Sequence, residues 1–464
     1  GSKDLLEYVI MHEVGHNWFY GILGSNERDH TWMDEGLNEY SNIRYWQKKY
    51  KGRNEQIIIS EFVQNKLGIA KNLSMSWFTY AGYANSGKSK DAQSLNLTAE
   101  KYSAGNYFQH YSKTAVFMRY LEHYLGEDKM DEILQDFYRQ WEFRHPYPED
   151  LEAVFAAHLQ EDLEWFFDNV FKKTTYVDYG IIKTGDQFIL DNYGTFTCPV
   201  EVAFYNVSGQ EIQRDWYHKI DNKRTLSLPT GAVSARIDPD HHMPDVNRSN
   251  NSTKRRLNLN FVWDQPTYFN HDVNIVPWLF SYNYYNRFTP GLTIFSGFVP
   301  GYDGSGNALS FLYDFNHKKP VGGFSITRPI RSISLFHVSS LNIKLDRGSG
   351  RTGFNAGITG TIKEPYIESP VAGINANLFY HYLDSTALDP VLYDNGKFFI
   401  MSLGYSKKWK LNIDSELTFQ VGIRMGRDFA RNYLSGNGKH RFNKNIATKI
   451  RLFASGLLFT RDLR

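Results

Sequence analysis

The sequence predicts a multidomain α plus β chain in three zones. A helical zone runs over 1–172, a small β-sandwich over 174–248, and a long-stranded antiparallel β region over 256–464. Three observations carry this. Apolar residues recur at helical spacing in the first zone. Short alternating runs broken by Ser-Gly and Thr-Gly pairs fill the second. Alternating runs of about ten residues fill the third. A length of 464 residues suits such a division at roughly 150 residues per domain.

Taken in order, the first zone opens with Leu5, Val9, Ile10, Val14 and Trp18 on one helical face. The aromatic and apolar surroundings of this segment predict a buried helix. Ala115, Phe117, Met118, Leu121, Tyr124 and Leu125 form a second face that Gly126 stops. Helical patterns continue at 130–141 and 151–159. Pro148, Glu149 and Asp150 suit the first turn of the latter, because proline lacks a donor there and acids face the positive end. In the second zone, 198–207 and 233–238 alternate as short strands, and 247–256 reads as a polar linker.

The third zone alternates over long stretches. Ala372, Ile374, Ala376, Leu378, Tyr380 and Tyr382 share one face of a strand, with Asn375, Asn377 and His381 on the other. Residues 411–425 read as another strand, with Leu417, Phe419, Val421 and Ile423 opposite Glu416, Thr418 and Gln420. Turns are expected at 303–307, 346–350, 394–396 and 435–438, all rich in Gly, Asn and Asp. Strands this long, apolar and aromatic on one face and polar or glycine on the other, are outer-membrane-barrel-like. A soluble antiparallel sandwich is the competing reading, but its strands peak nearer 5–6 residues. The strand-like sequence running to Leu463 and Arg464 leaves the expected barrel incomplete.

Composition narrows the function classes. Lys plus Arg total 52 against 50 Asp plus Glu, and this balance argues against a nucleic-acid partner. An aromatic content of 16% argues against disorder. The single cysteine, Cys198, excludes an intramolecular disulfide framework and a cysteine zinc cluster. No run of about 18 apolar residues predicts a membrane-spanning helix.

The segment with the most chemistry is His12-Glu13-Val14-Gly15-His16. On a helix, positions i and i+4 share a face, so both imidazoles reach one ion. Neutral imidazole suits zinc, and a catalytic zinc keeps three protein ligands and an open position. Glu13 stands where it can accept a proton from a water the metal activates. Eighteen residues separate His16 from Glu35, which lies in Trp32-Met33-Asp34-Glu35-Gly36. In these features the chain resembles the gluzincin metallopeptidases, specifically the aminopeptidase N-like family. That family spaces its third ligand, a glutamate in an Asn-Glu-Gly segment, by eighteen residues. Asp34 stands here where the family usually has Asn. Asn17-Trp18-Phe19 is similar to the Gln-Trp-Phe after the family's second histidine. Tyr111-Ser112-Lys113-Thr114-Ala115 is similar to its Tyr-x-Lys-Gly-Ala, with Thr114 in place of Gly.

The resemblance implies a zinc metallopeptidase holding one Zn2+ per chain on His12, His16 and Glu35. Glu13 is the implied general base and Tyr111 the implied oxyanion donor, with Tyr107 its nearest competitor. A peptide is the implied substrate, and release of N-terminal amino acids the implied reaction. A zinc endopeptidase with the same site is one alternative. An outer-membrane or surface protein with a vestigial peptidase domain is another. Glu39 reads either as an acceptor that orients a zinc histidine or as a surface acid. His30, His110, His123, His145 and His158 read as exposed or structurally bonded, and His241-His242 as a solvent-facing turn pair. The family carries an amine-binding Gly-x-Met-Glu-Asn segment upstream of its zinc helix. Only Gly1 to Tyr8 precede the motif region here, so the chain reads as a fragment, inactive if the missing part forms a wall of the cleft. Residues 256–464 make the membrane an expected partner. The expected location is the cell envelope, outer membrane or surface of a bacterium of the Bacteroidetes type, with a periplasmic or secreted location as the alternative.

Overall fold

The structure is a computed structural model that describes residues 3–50, 75–87, 92–102, 104–160, 163–255, 257–261, 271–278, 282–283, 287–296, 306–330, 338–348, 350–362, 372–383, 396–412, 415–427, 429–442 and 446–460. It divides into two compact units, Gly1–Asp272 and Val273–Arg464.

In the first unit the main helices are α1 (Lys3–Gly15), α2 (Leu37–Lys49), α3 (Met75–Gly87), α4 (Gln109–Leu125), α5 (Glu127–Trp141) and α6 (Pro148–His158). Helix α4 is the central one. Its Ala115, Phe117, Met118 and Leu121 are buried completely, and Phe117 stacks on Phe196 with ring centres 5.5 Å apart. Tyr40 on α2 donates to Glu122 on α4 at 2.8 Å, so a polar tie accompanies the apolar packing. Helix α6 starts as its sequence suggests: Pro148 occupies the first turn, and Asp150 accepts from the Tyr147 backbone N–H at 2.7 Å.

Two three-stranded antiparallel sheets complete this unit. One orders β1 (Tyr179–Thr184), β2 (Gln187–Asn192) and β5 (Lys223–Leu226). The other orders β4 (Glu211–Tyr217), β3 (Val200–Tyr205) and β6 (Ser234–Ile237). The polar stretch after 247 is not a solvated linker. Arg248, Asn251 and Ser252 are buried. The Arg248 guanidinium lies 3.8 Å over the Tyr80 ring and donates to the carbonyls of His241 and Met243, which offsets the cost of desolvating it.

Helix α1 also departs from expectation. Ile10, Val14 and Trp18 are 51%, 39% and 48% exposed. Amphipathic spacing thus identified the helix but not its burial.

The other large element is a twelve-stranded antiparallel sheet in sequence order. Its strands are β7 (Leu257–Phe261), β8 (His271–Trp278), β9 (Gly291–Ser296), β10 (Gly306–Asp314), β11 (Lys319–Pro329), β12 (Val338–Gly348), β13 (Arg351–Ile362), β14 (Ala372–Leu383), β15 (Gly396–Asn412), β16 (Ser415–Gly426), β17 (Phe429–Arg441) and β18 (Ala447–Thr460). Among the described residues the last strand does not pair with the first, so no closed barrel is present.

Register aligns like with like across the second unit's strands. Ile374, Ala376, Leu378 and Tyr380 of β14 face Tyr405, Leu403, Met401 and Phe399 of β15. On the opposite face Asn377 meets Ser402, Ser406 meets Gln420, and Thr418 meets Asn437. Tyr433 lies across two glycines of that polar face. A Cβ on Gly422 would sit 2.4 Å from the Tyr433 ring, and one on Gly404 would sit 3.2 Å from its hydroxyl.

Two expected features of this zone change. Ser435-Gly-Asn-Gly is not a turn but the middle of β17, with Ser435 paired to Gln420 on one side and Phe453 on the other. Its glycines Gly436 and Gly438 lie opposite Phe419 and Leu417, where a flat backbone leaves room for large neighbours. The single strand expected over 411–425 is two: Leu411 and Asn412 end β15, and Ser415 begins β16. The expected turns at 303–307, 346–350 and 394–396 fall partly outside the described residues. Of the first and last, residues 306–307 begin β10 and Gly396 begins β15.

Candidate active site

Two close backbone approaches build the site. Helix α1 ends at Gly15, where an added Cβ would lie 1.8 Å from Asn38 Oδ1. Asn38 in turn donates to the His12 carbonyl at 2.8 Å, so α1 is locked onto the start of α2. At Gly36 an added Cβ would lie 2.5 Å from the His110 carbonyl oxygen and from Thr114 Cβ. That contact lets α4 approach, and it carries Tyr111 to Glu35. Thr114, in the position where glycine was expected, fills the space that Gly36 leaves.

Between these contacts, Trp32–Gly36 form a single π-helical turn. Such turns occur often at functional sites, because the extra residue re-aims side chains. Here Asp34 and Glu35 both turn toward α1. His12 Nε2 and His16 Nε2 lie 3.1 and 3.4 Å from the same Glu35 oxygen, Oε2. These three side chains are the one group of histidine, cysteine or acidic residues among the described residues whose ligand atoms converge, all within 4.8 Å of one another.

The geometry fits a zinc ion. Donors about 2.0–2.1 Å from a tetrahedral centre are roughly 3.3 Å apart, close to both separations. The donor set, two imidazoles and a carboxylate, is one that zinc accepts. One outer ring nitrogen is held as well. His16 Nδ1 lies 2.7 Å from Asp34 Oδ1, and donation from Nδ1 to a carboxylate fixes the tautomer that presents the Nε2 lone pair. His12 Nδ1 lies 3.7 Å from Glu39 Oε2, beyond hydrogen-bond reach, so Glu39 acts on that ring as a nearby charge.

Glu39 is therefore not a surface acid. It is buried and accepts from Tyr8 and, at 3.2 Å, from Thr79. Asp34 is the functional side chain that sequence reasoning missed. It was noted as a departure from Asn, yet its role depends on the π turn, which no local pattern announces.

Electrostatically the cluster is short of positive charge. Burial raises the carboxyls of Asp34 and Glu39 above their ordinary range. Burial pushes Glu35 the same way, but bonds from His12 and Tyr111 outweigh it and hold its carboxyl low. Burial opposes a proton on His12, yet Glu35, Glu39 and Glu13 lift its pKa above the usual histidine value. A bound cation would relieve this crowding.

Glu13 is exposed and makes none of these bonds. Tyr111 is half-buried, with its ring centre 5.7 Å from that of His12 and its hydroxyl beside the Glu35 carboxylate. Burial and that carboxylate raise its pKa, so the hydroxyl keeps its proton as a donor. Tyr107 stands behind it, ring centres 6.4 Å apart.

The remaining histidines divide. His145 meets the Gly24 carbonyl at 2.8 Å, His158 meets Asp136 at 2.8 Å, and His30 packs edge-on to Tyr147. His123 contacts Glu201 at 3.2 Å and stacks on His242 at 4.2 Å. His110 is neither exposed nor bonded. It is fully buried, neither ring nitrogen has a hydrogen-bond partner among the described residues, and burial pushes its pKa down to about 4. His241 and His242 are half-buried rather than fully solvent-facing, and burial pushes the pKa of both down to about 3.

Residues 2–170 match the family described as Peptidase family M1 domain. Human aminopeptidase Q is 36% identical over 69 residues, which is 14% of this chain and 7% of that protein. A crystal structure of Legionella pneumophila aminopeptidase A in complex with aspartic acid aligns with a TM-score of 0.38 at 14% identity, covering 51% of this chain and 26% of that one. The chain thus spans well under two thirds of either relative.

Proposed function

Because residues 2–170 belong to the M1 peptidases, the aminopeptidase N-like gluzincins, we propose that this chain carries a zinc-dependent peptidase site that releases N-terminal amino acids from peptides. One observation supports it above the others: His12 and His16 converge on one oxygen of Glu35 at zinc-ligand spacing.

In this reading His12, His16 and Glu35 hold one zinc ion per chain. Bound there, zinc lowers the pKa of a water and polarises the scissile carbonyl. Glu13 takes the proton from the attacking water and returns it to the leaving amine. Tyr111 turns its hydroxyl from Glu35 to the developing oxyanion, where such a donor contributes about 10²–10³ in rate. Asp34 keeps the His16 imidazole in the ligating tautomer, and the Glu39 carboxylate stands near the outer nitrogen of His12. The intact set of ligands, base and donor disfavours a vestigial domain.

The test is Glu13→Gln. Zinc content, read by mass spectrometry, should stay near one per chain, while turnover of amino-acid amides falls about 10²–10⁴-fold. Unchanged turnover would remove Glu13 from the mechanism. Comparing free with N-acetylated amides as substrates separates exopeptidase from endopeptidase. Equal cleavage of both would overturn the aminopeptidase reading.

A second reading concerns the twelve-stranded sheet: an outer-membrane barrel wall that places the protein in a bacterial cell envelope. Its support is the exposed apolar face, where Tyr380, Phe399 and Tyr382 lie toward one end and Tyr405 and Trp409 toward the other. Aromatics flanking an aliphatic band are the pattern of lipid-facing barrel surfaces. Among the described residues no helix is long and apolar enough to cross a membrane. Solubility of the chain as a monomer without detergent would overturn this reading.

A further inference from the structure

We infer that Phe108 is a specificity-determining residue that selects a large apolar, above all aromatic, side chain on the released amino acid. The inference rests on the peptidase reading above and deepens it to a substrate class. Phe108 caps the start of α4, three residues before Tyr111, and the two ring centres lie 6.3 Å apart. Tyr107 flanks the same ring at 6.4 Å but is half-buried, whereas Phe108 is 65% exposed. An exposed phenyl ring is ordinary when it stands alone. This one stands against the proposed oxyanion donor. Helix α1 adds a second apolar side chain. Val9 precedes His12 by three residues and Glu13 by four, which puts it on their side of the helix one turn earlier, and it is 46% exposed.

The reaction itself says what meets this ring. The oxyanion that Tyr111 serves forms on the carbonyl of the released residue. That residue's side chain branches from the adjoining carbon, about 1.5 Å away, so it is the substrate group next to the donor. Aromatic rings pair favourably at the spacing that Phe108 and Tyr111 already show. Charge excludes one alternative. Asp34, Glu35 and Glu39 crowd the cluster, and among the described residues they form ion pairs with histidines alone, so an anionic side chain is repelled. A cationic side chain is the competing occupant, drawn by Glu13 and by Glu27, whose charge is felt at Tyr107. Phe108 and Val9 offer it no carboxylate.

The probes are the hydroxamates of phenylalanine, alanine, glutamate and arginine, each with a metal-binding group next to the varied side chain. Binding to the zinc-loaded full chain is read by calorimetry, which needs no turnover. Phenylalanine hydroxamate should bind about tenfold more tightly than alanine hydroxamate, and glutamate hydroxamate more weakly than either. Phe108→Ala should shrink the phenylalanine-to-alanine ratio to about two, and Phe108→Trp should keep it. Val9→Ser should lower it about threefold. Because Phe108 is exposed, its truncation leaves the thermal melt and the zinc content in place. Equal affinity for phenylalanine and alanine hydroxamates, tightest binding by arginine hydroxamate, or an unaltered ratio in Phe108→Ala overturns the inference and leaves the peptidase reading standing. Failure of all four to bind in the presence of zinc overturns both.

Discussion

The first unit buries its largest fully packed aromatic side chains, whereas the second displays aromatics on one face of its sheet. Trp32, Trp46, Tyr40 and Phe117 are all buried, whereas Tyr380, Phe399, Tyr405 and Trp409 all stand exposed on one face of the sheet. The first arrangement places rings around buried polar groups, such as Glu122 beneath Tyr40, and rigidifies a scaffold for chemistry. The second leaves polar groups on the other face and presents apolar surface outward. Soluble monomers rarely expose contiguous apolar surface on this scale. The same residue types therefore serve a protein interior in one region and an apolar exterior in the other.

Substitution can break that comparison. The largest expected effect is in the sheet. Leu403→Arg, on the apolar face, should destabilise the protein folded in lipid vesicles by about 2–4 kcal/mol, whereas Ser402→Arg on the polar face should have little effect. Equal effects in urea titrations would erase the distinction between the two faces. In the first unit, Asp34→Ala should weaken zinc binding about 10–100-fold, read by chelator competition, while Asp29→Ala on the exposed loop leaves it unchanged.

Gly36→Ala tests the close approach of α4. The added Cβ meets the His110 carbonyl oxygen and the stiff β-branched side chain of Thr114, and a loss of about 1–3 kcal/mol is expected in thermal melts. The last prediction concerns a buried charge. Lys113 is buried, donates to the Lys173 carbonyl at 3.3 Å, and has its pKa pushed down to about 7 by burial. Between pH 7 and the ordinary lysine value the unfolded chain binds a proton that the folded chain lacks, so stability rises with pH. The slope is at most about 1.4 kcal/mol per pH unit. Lys113→Met should flatten that window in denaturation measured from pH 7 to 10.

Much of this was legible in the sequence, for physical reasons. Helical spacing brought His12 and His16 to one face, and the eighteen-residue interval to Glu35 survives folding because glycines at 15 and 36 permit close contact. Two-residue alternation exposed the two-faced strands. What escaped reading depends on long-range placement. Asp34 reaches His16 only through a π turn. The apolar stripe of α1 looked like a core face, but spacing reports which residues share a side, not what covers that side. Ser435-Gly-Asn-Gly carries turn residues, yet partners on both flanks satisfy its backbone and keep it extended.

The π turn at Trp32–Gly36 has a consequence for how length variation can be tolerated. It winds one residue more into its turn than an α-helix does, and that extra residue aims Asp34 and Glu35 at the imidazoles. A single deletion inside it should tighten the turn to ordinary helix and swing these acids by more than a quarter of a turn. The spacing that identifies the site is thus rigid at a known place. Loop-length engineering of this site has its natural point of adjustment upstream, in the exposed stretch Asn26–Arg28.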